Sequence, residues 1–415
     1  KMRKVLGIVC ILALIPMLVF ANGTTETKNE GPVELTLWHR WSGTNQQYLR
    51  EVISEFEKEN PDVKIKEISK PGEYIGVLQG ILADMAAGND PPDLFVAGYN
   101  LTEYIESEMK PTLLPDLAPS KKAYEDIQNR FEPKMFNIMN INNKQIGVPF
   151  AISNMVAYVN MDIFKAAGLT ESDIPKTWDE MMTVGKTIKE KTGKYALAIC
   201  YLDNWQDCSL IYSAGGTIRS DDGKKVDFHN DGIRLAFHTW QDFYRAGLIP
   251  KETDAEMQSD FCAGNIAMYF TTIMSVGTLK SQSNFNLKTA LVPQFAGHEK
   301  RLVQGGSGIV SFSKSTAKKN AVWKFIDFCC SKKGMEIFTK TGYLCVTKDE
   351  VPISEYQKPC YEQKDYAIAW ANWPGGATGL EINKLYLDQR SKIILQDADV
   401  EKTLDSLEAQ CNKLL

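Results

Sequence analysis

Apolar and polar residues alternate through Val33-Glu34-Leu35-Thr36-Leu37-Trp38, the period of two expected of a strand with one buried face. The period then changes. Leu49, Val52, Ile53 and Phe56 recur at i, i+3, i+4 and i+7, which lays one apolar stripe along a helix. Asn60-Pro61 ends it, since proline has no N–H for the helical ladder. Val63 to Ile68 alternates again. Tyr74, Val77, Leu78, Ile81, Leu82 and Met85 form a second helical stripe, ended by Gly88, and Leu94-Phe95-Val96-Ala97 is a short apolar strand after Pro92-Asp93. Strand, helix, strand, helix, strand in this order demands a parallel sheet covered by helices.

The rest of the chain continues in this style. Ile146 to Phe150 reads as extended, Met155 to Val159 as a strand, and Met161 to Ala167 as a helix closed by Gly168. Thr177 with Glu180 is a capping box that opens a further helix. Strands are expected at Tyr195–Cys200, Ile266–Phe270, Leu287–Val292 and Ile309–Phe312, with Gly305-Gly306-Ser307-Gly308 as a flexible turn. Helices are expected over 231–246, 321–330, 335–340, 381–395 and 400–415. Trp178, Trp240 and Trp323 fall in helical stripes and read as packing; Trp38, at a strand end, reads as core.

Composition narrows the classes. The 415 residues are 44% hydrophobic and 24% charged, which excludes a disordered or fibrous chain, and the length suggests two domains. Lys and Arg number 47 against 52 Asp and Glu; without a basic excess, no nucleic-acid partner is expected. Arg3-Lys4 precede the apolar run Val5–Phe20, and Ala21 supplies a small residue at a cut site. Residues 1–21 therefore read as a secretory signal peptide, its apolar run short of the roughly 20 residues that span a bilayer. A retained anchor and lipid attachment at Cys10 are the alternatives. Residues 22–31 are polar and turn-rich, and are expected to form a disordered leader. Export favours cysteine pairing, and Cys200–Cys208 is the candidate disulfide, although the cysteines as a group read as buried small apolar side chains. There is no Cys-x-x-Cys pair and no zinc-like histidine spacing, so no metal is expected. The chain also lacks a Gly-x-Gly-x-x-Gly turn, and no cofactor is expected.

The order of segments resembles the extracellular solute-binding proteins of bacterial ABC importers, in the sugar-binding class. The resemblance is carried by Leu35-Thr36-Leu37-Trp38-His39-Arg40-Trp41, Phe56-Glu57-Lys58-Glu59-Asn60-Pro61 and Gly88-Asn89-Asp90-Pro91-Pro92-Asp93-Leu94. It continues in Val148-Pro149-Phe150, Tyr158 through Leu169, Pro175 through Glu180, Phe261 with Gly264 through Met268, Gly305-Gly306, Trp323 through Ile326 and Thr341-Gly342-Tyr343-Leu344. The layout is similar to the glycerol-3-phosphate-binding and maltose-binding branches. It implies an α/β, two-lobe periplasmic-binding-protein fold of type II, with parallel-rich sheets flanked by helices and a three-segment hinge. Lobe one would take 32–147 and 308–345, and lobe two 150–305 and 347–415. The implied partners are a carbohydrate ligand and the permease subunits of the transporter, with the protein a monomer in the periplasm or outside the cell.

A sugar presents a polar rim and an apolar C–H face, so its binder wants aromatic platforms and planar hydrogen-bonding groups. Loops after the expected strands supply Trp41, Tyr99, Asn154, Asp203 and Trp205, and the Trp370–Gly376 loop supplies Trp373. Trp41 fits core and contact equally; Trp205 and Trp373 are favoured as contacts. Tyr74, Ser153, Trp205, Thr272, Gly306 and Tyr343 fall where the glycerol-3-phosphate branch contacts its ligand. Tyr99 stands where that branch has an acid, and Glu381 where it has a phosphate-binding arginine. A phosphate would be repelled at Glu381, which favours a neutral sugar or oligosaccharide over a glycerol-phosphate-type ligand. A secreted carbohydrate-active enzyme is the remaining alternative; it needs two carboxylates flanking the bond, for which Asp203, Asp207 and Glu381 are the candidates. A sensor or adhesin would use the same lobes.

Overall fold

The computed structural model describes residues 31–415; the expected signal peptide at 1–21 and all but the last residue of the expected 22–31 leader lie outside them. The chain opens with the expected run of β1 (Val33–His39), α1 (Gly43–Glu59), β2 (Val63–Ser69), α2 (Tyr74–Ala86) and β3 (Leu94–Gly98). β1 pairs in parallel with β2, from Val33 opposite Val63 to His39 opposite Ser69, and on its other edge with β3. After several short helices come β4 (Gly147–Ser153) and β5 (Met155–Asn160), then α3 (Trp178–Thr192), β6 (Tyr195–Ile199), α4 (Trp205–Ser213), α5 (Asp231–Arg245), α6 (Asp254–Cys262) and β7 (Ile266–Thr272). The last principal elements are β8 (Leu287–Ala290), β9 (Leu302–Ser311), α7 (Thr316–Cys329), β10 (Ala367–Ala369), α8 (Thr378–Gln396) and α9 (Val400–Leu414).

Two main sheets carry the strands. In the first, β10, β9, β3, β1 and β2 lie side by side, and β4 also pairs with β9; in the second the order is β8, β5, β7, β6. Parallel pairs (β1–β2, β1–β3, β6–β7, β9–β10) are joined by antiparallel ones (β9–β3, β9–β4, β5–β7, β5–β8). A single residue, Asn154, separates β4 from β5, so the chain passes from the first sheet to the second without a crossover helix. The buried faces of both sheets carry the helices. Phe56 of α1 meets Phe325 and Phe328 of α7 at ring distances of 5.1 and 5.8 Å, and Trp178 of α3 meets Phe270 of β7 at 5.3 Å. Trp38, Trp178, Trp240 and Trp323 are all buried in packing. The capping box forms: Thr177 Oγ1 accepts the Glu180 N–H at 3.1 Å, and a Glu180 carboxylate oxygen accepts the Thr177 N–H at 3.2 Å.

Three local expectations are corrected. Gly305–Gly308 is not a turn but the middle of β9. Glycine is required there by close approach: a Cβ on Gly305 would stand 2.5 Å from Trp205 Nε1, one on Gly306 2.0 Å from the Ala151 carbonyl oxygen, and one on Gly308 2.4 Å from Met139 Sδ. Trp205 is not in a loop but begins α4. The Cys200–Cys208 disulfide does not form, and the cysteines among the described residues are free. The Cys200 thiol turns toward Asp254 and Tyr269, while Cys208 faces Asp207 and Tyr386; burial pushes both thiols well up.

Candidate functional site

A cavity of about 410 Å³ opens between the two sheets, within the size range of small-molecule sites. Its walls are built where strands end, the usual place for ligand loops in α/β sheets. β1 delivers Arg40, Trp41 and Ser42; the start of α2 delivers Glu73 and Tyr74; the segment after β6 delivers Leu202, Asp203, Trp205 and Gln206. Asp254 enters from the first turn of α6, Thr271 and Thr272 from the end of β7, Ser153 from the end of β4, and Gly305 and Gly306 from β9. Tyr343 and Trp370 close the ring.

The aromatic wall on the first lobe is rigid. Trp41 Nε1 donates to Tyr343 OH at 3.0 Å, and Tyr343 stacks on Phe338 at 5.4 Å with an interplanar angle of 11°. Trp41 also packs on Phe338 and Phe150, so it is core along most of its surface and presents an edge to the cavity. Tyr74 OH donates to Ser307 Oγ at 3.1 Å. Its ring lies flat against Gly98, where a Cβ would be 2.7 Å away. On the opposite lobe, Trp205 rests on the bare backbone of Gly305. Its Nε1 is buried with no hydrogen-bond partner, as is Gln206 Oε1 beside it, and Asn45 Oδ1 across the cavity is likewise unpartnered. Buried polar atoms without partners are costly, and these three border the space a ligand would fill.

Charge in the site is lopsided. The Arg40 guanidinium is committed: its Nη2 donates to Glu73 Oε1 at 2.9 Å, its Nε to the Gly72 carbonyl at 2.5 Å, and its plane covers the Tyr74 ring at 4.9 Å. Burial opposes its charge, but Glu73 with Tyr74, Tyr343 and Asp203 overcomes this and holds it protonated. Burial, then the facing Glu73 carboxylate, pushes the Asp203 carboxyl well above its ordinary value, although Asp203 Oδ1 accepts the Trp205 N–H at 2.8 Å. Burial likewise raises Asp254, against the pull of the Cys200 thiol and the Tyr201 N–H. Three carboxyl groups therefore share the cavity with one paired guanidinium.

Of the residues expected from sequence, the structure brings Trp41, Tyr74, Ser153, Asp203, Trp205, Thr272, Gly306 and Tyr343 around this cavity. It does not bring the other four there. Tyr99 is buried behind Tyr74, its hydroxyl without a partner. Asn154 is buried at the step between the sheets, donating to the Cys360 carbonyl at 3.1 Å. Trp373 packs on Tyr386 and Phe228 and donates to Asn383 Oδ1 at 2.7 Å. Glu381 is exposed on the first turn of α8. The carboxylates considered for hydrolysis do not meet either: Asp207 is buried in an ion pair with Arg390, and only Asp203 faces the cavity. Sequence reasoning missed Glu73, Gln206 and Asp254. Asp254 carried a usable signal, since Thr253 and Glu256 form a capping box around it; Glu73 and Gln206 carried only their adjacency to Tyr74 and Trp205.

A family model described as bacterial extracellular solute-binding protein matches residues 51–361. The chain is 28% identical over 232 residues to the arabinooligosaccharide-binding protein of Bacillus subtilis, a match covering 55% of this chain and about half (52%) of that relative. It is 24% identical over 330 residues to the sn-glycerol-3-phosphate-binding periplasmic protein UgpB of Brucella melitensis, covering 76% and 75% of the two chains. In three dimensions it is similar to the crystal structure of the cyclic alpha-maltosyl-1,6-maltose binding protein from Arthrobacter globiformis. The TM-score is 0.76 at 24% identity, over 92% of this chain and 99% of the other. That likeness carries the fold: type II, two-lobed, α/β.

Proposed function

Because the chain belongs to the bacterial extracellular solute-binding protein family, we propose that it captures a neutral sugar or oligosaccharide between its lobes and delivers it to the permease subunits of an ABC importer. The observation that carries this reading is the cavity itself. Trp41, Tyr74, Trp205, Tyr343 and Trp370 supply aromatic surface for C–H faces, and carboxyl, amide and indole groups supply hydrogen bonds for hydroxyls. The same charge balance argues against a phosphorylated solute: Arg40, the one cationic side chain in the cavity wall among the described residues, is already paired with Glu73, so no free cation faces a phosphate. In this reading 32–147 with 308–345 and 150–305 with 347–415 are the lobes that close on the ligand by hinge motion. The protein acts as an exported monomer that binds and releases its ligand unchanged. Among the described residues, no helix is long and apolar enough to cross a membrane.

The test is a thermal-shift panel of neutral mono- and oligosaccharides beside glycerol 3-phosphate. A ligand at about 100 times its Kd stabilises the native state by about 2.7 kcal/mol, a readily measured rise in Tm. A rise with glycerol 3-phosphate and none with any sugar would overturn the neutral-sugar reading, and turnover of a model glycoside would overturn the binder.

A further inference from the structure

The segment Tyr201–Trp205 carries Leu202, Asp203 and Trp205 into the cavity, yet it contains no regular structure before Trp205. Something outside the cavity must hold it. The side chain beneath it is Arg390, on α8, only 3% exposed and absent from the cavity wall. Its Nη2 donates to the Tyr201 carbonyl at 2.7 Å, and its Nη1 to the Asp203 carbonyl at 3.1 Å. The same Nη1 stands 2.9 Å from both carboxylate oxygens of Asp207, a fully buried residue on the first turn of α4. The guanidinium also lies over the Tyr201 ring at 5.4 Å. One planar fork thus grips the start and the middle of the ligand segment and the helix that follows it, which an ammonium could not do. The grip passes on into the site. Tyr201 N–H, held beside its own clamped carbonyl, donates to Asp254 Oδ1, and Asp203 Oδ1 accepts the Trp205 N–H.

We propose that Arg390 is a positioning residue for ligand binding: by fixing the carbonyls of Tyr201 and Asp203 it sets where the Asp203 carboxyl and the Trp205 indole stand in the cavity. The Asp207–Arg390 ion pair keeps that guanidinium oriented in a buried place. The inference rests on the cavity being the ligand site.

A single Arg390→Met change leaves Asp207 buried and unpaired, which destabilises the fold for reasons unrelated to positioning. The test therefore uses the double variant Asp207→Leu with Arg390→Met, which removes both charges at similar volume and restores the core, and Arg390→Lys, which keeps the charge but loses the fork. Two readouts are taken on the full chain at matched folded fraction. In the ligand-free protein, hydrogen exchange at the Tyr201 and Trp205 amides is expected to speed up at least about tenfold while the mid-helix amides of α8 are unchanged, since opening a hydrogen-bonded loop locally leaves the rest of the fold protected. In titrations with maltotriose and arabinotriose, affinity is expected to fall about tenfold and to stay low in the double variant although Tm recovers. If Tyr201 and Trp205 keep their protection in either folded variant, or if affinity returns with Tm, Arg390 is merely structural and the proposal fails. If neither sugar binds the unaltered protein, the neutral-sugar reading is in difficulty, while the exchange measurement still decides the role of Arg390.

Discussion

Trp205 and Trp373 show how one residue type takes opposite roles. Both are nearly buried, and both follow acidic or turn-forming residues in sequence. Trp373 has its indole N–H satisfied by Asn383 and its faces covered by Tyr386 and Phe228. Trp205 has an unsatisfied N–H at a cavity wall. Trp205→Ala is therefore expected to weaken ligand binding by about 2 kcal/mol, as for an aromatic anchor at a binding site. Trp373→Ala is expected to lower stability by about 3 to 5 kcal/mol, with affinity of the folded protein unchanged; calorimetric titration and urea unfolding separate the two, and an equal affinity loss would return Trp373 to the site. Asp203 makes a second prediction at this scale. Because burial and Glu73 raise its carboxyl pKa in the folded state, the stability tied to its protonated form is complete below about pH 3.9, the ordinary carboxyl value. That stability is lost as pH climbs through the raised value. Asp203→Asn keeps an acceptor for the Trp205 N–H and removes this loss. The Tm advantage of the variant should grow from about pH 4 to about pH 8; a constant difference over that range would contradict it.

At the scale of elements, β9 is the piece that joins core to site. It pairs with β3 and β4 along Gly305–Ser311 and with β10 at Leu302–Gln304, and its Gly305 is the floor on which Trp205 lies. Gly305→Ala would put a methyl 2.5 Å from Trp205 Nε1, closer than real contacts allow, so the indole must shift. The expected outcome is a loss of ligand affinity like that of Trp205→Ala, about tenfold or more, with the strand retained because Gly305 itself is not a positive-φ residue. Wild-type affinity in Gly305→Ala would show that the indole position is unimportant. The helix starts behave more simply. Thr177 and Glu180 announced α3 through local hydrogen bonds alone, and those bonds form.

At the scale of the whole molecule, a second contact joins the two halves away from the cavity. Arg219, from the segment after α4, donates to Glu103 Oε1 and to the Asn372 carbonyl, each at 2.9 Å. Asn372 in turn bonds the Tyr99 carbonyl and the Glu103 N–H, next to the end of β3. If they form only when the lobes approach, these contacts are expected to favour closure. Arg219→Ala should cost the closed form about 1 kcal/mol, the upper end for a partly exposed ion pair, lowering ligand affinity about fivefold and raising the radius of gyration of the ligand-free protein in X-ray scattering. No change in either would show that the clasp does not bias closure.

Elements whose signals are local are legible in the amino-acid order alone. The period of two in Val33–Trp38, the helical stripes of α1 and α2 and the capping box at Thr177 depend on neighbours within a turn or a strand, and α/β class follows from their alternation. That order also supplied most of the aromatic and polar residues at strand ends, since the ligand loops of such sheets occupy those ends. Tertiary structure decided the rest, because long-range contacts have no local signature. Whether Gly305-Gly306 bends or lies in a strand depends on Trp205 and Ala151 approaching from other elements. Whether Trp373 or Trp205 meets ligand depends on which helix face covers it. Asp207 reads as a candidate site carboxylate in the sequence, but in the fold Arg390, 183 residues later, pairs with it; that pair, formed only by folding, holds the ligand segment in place.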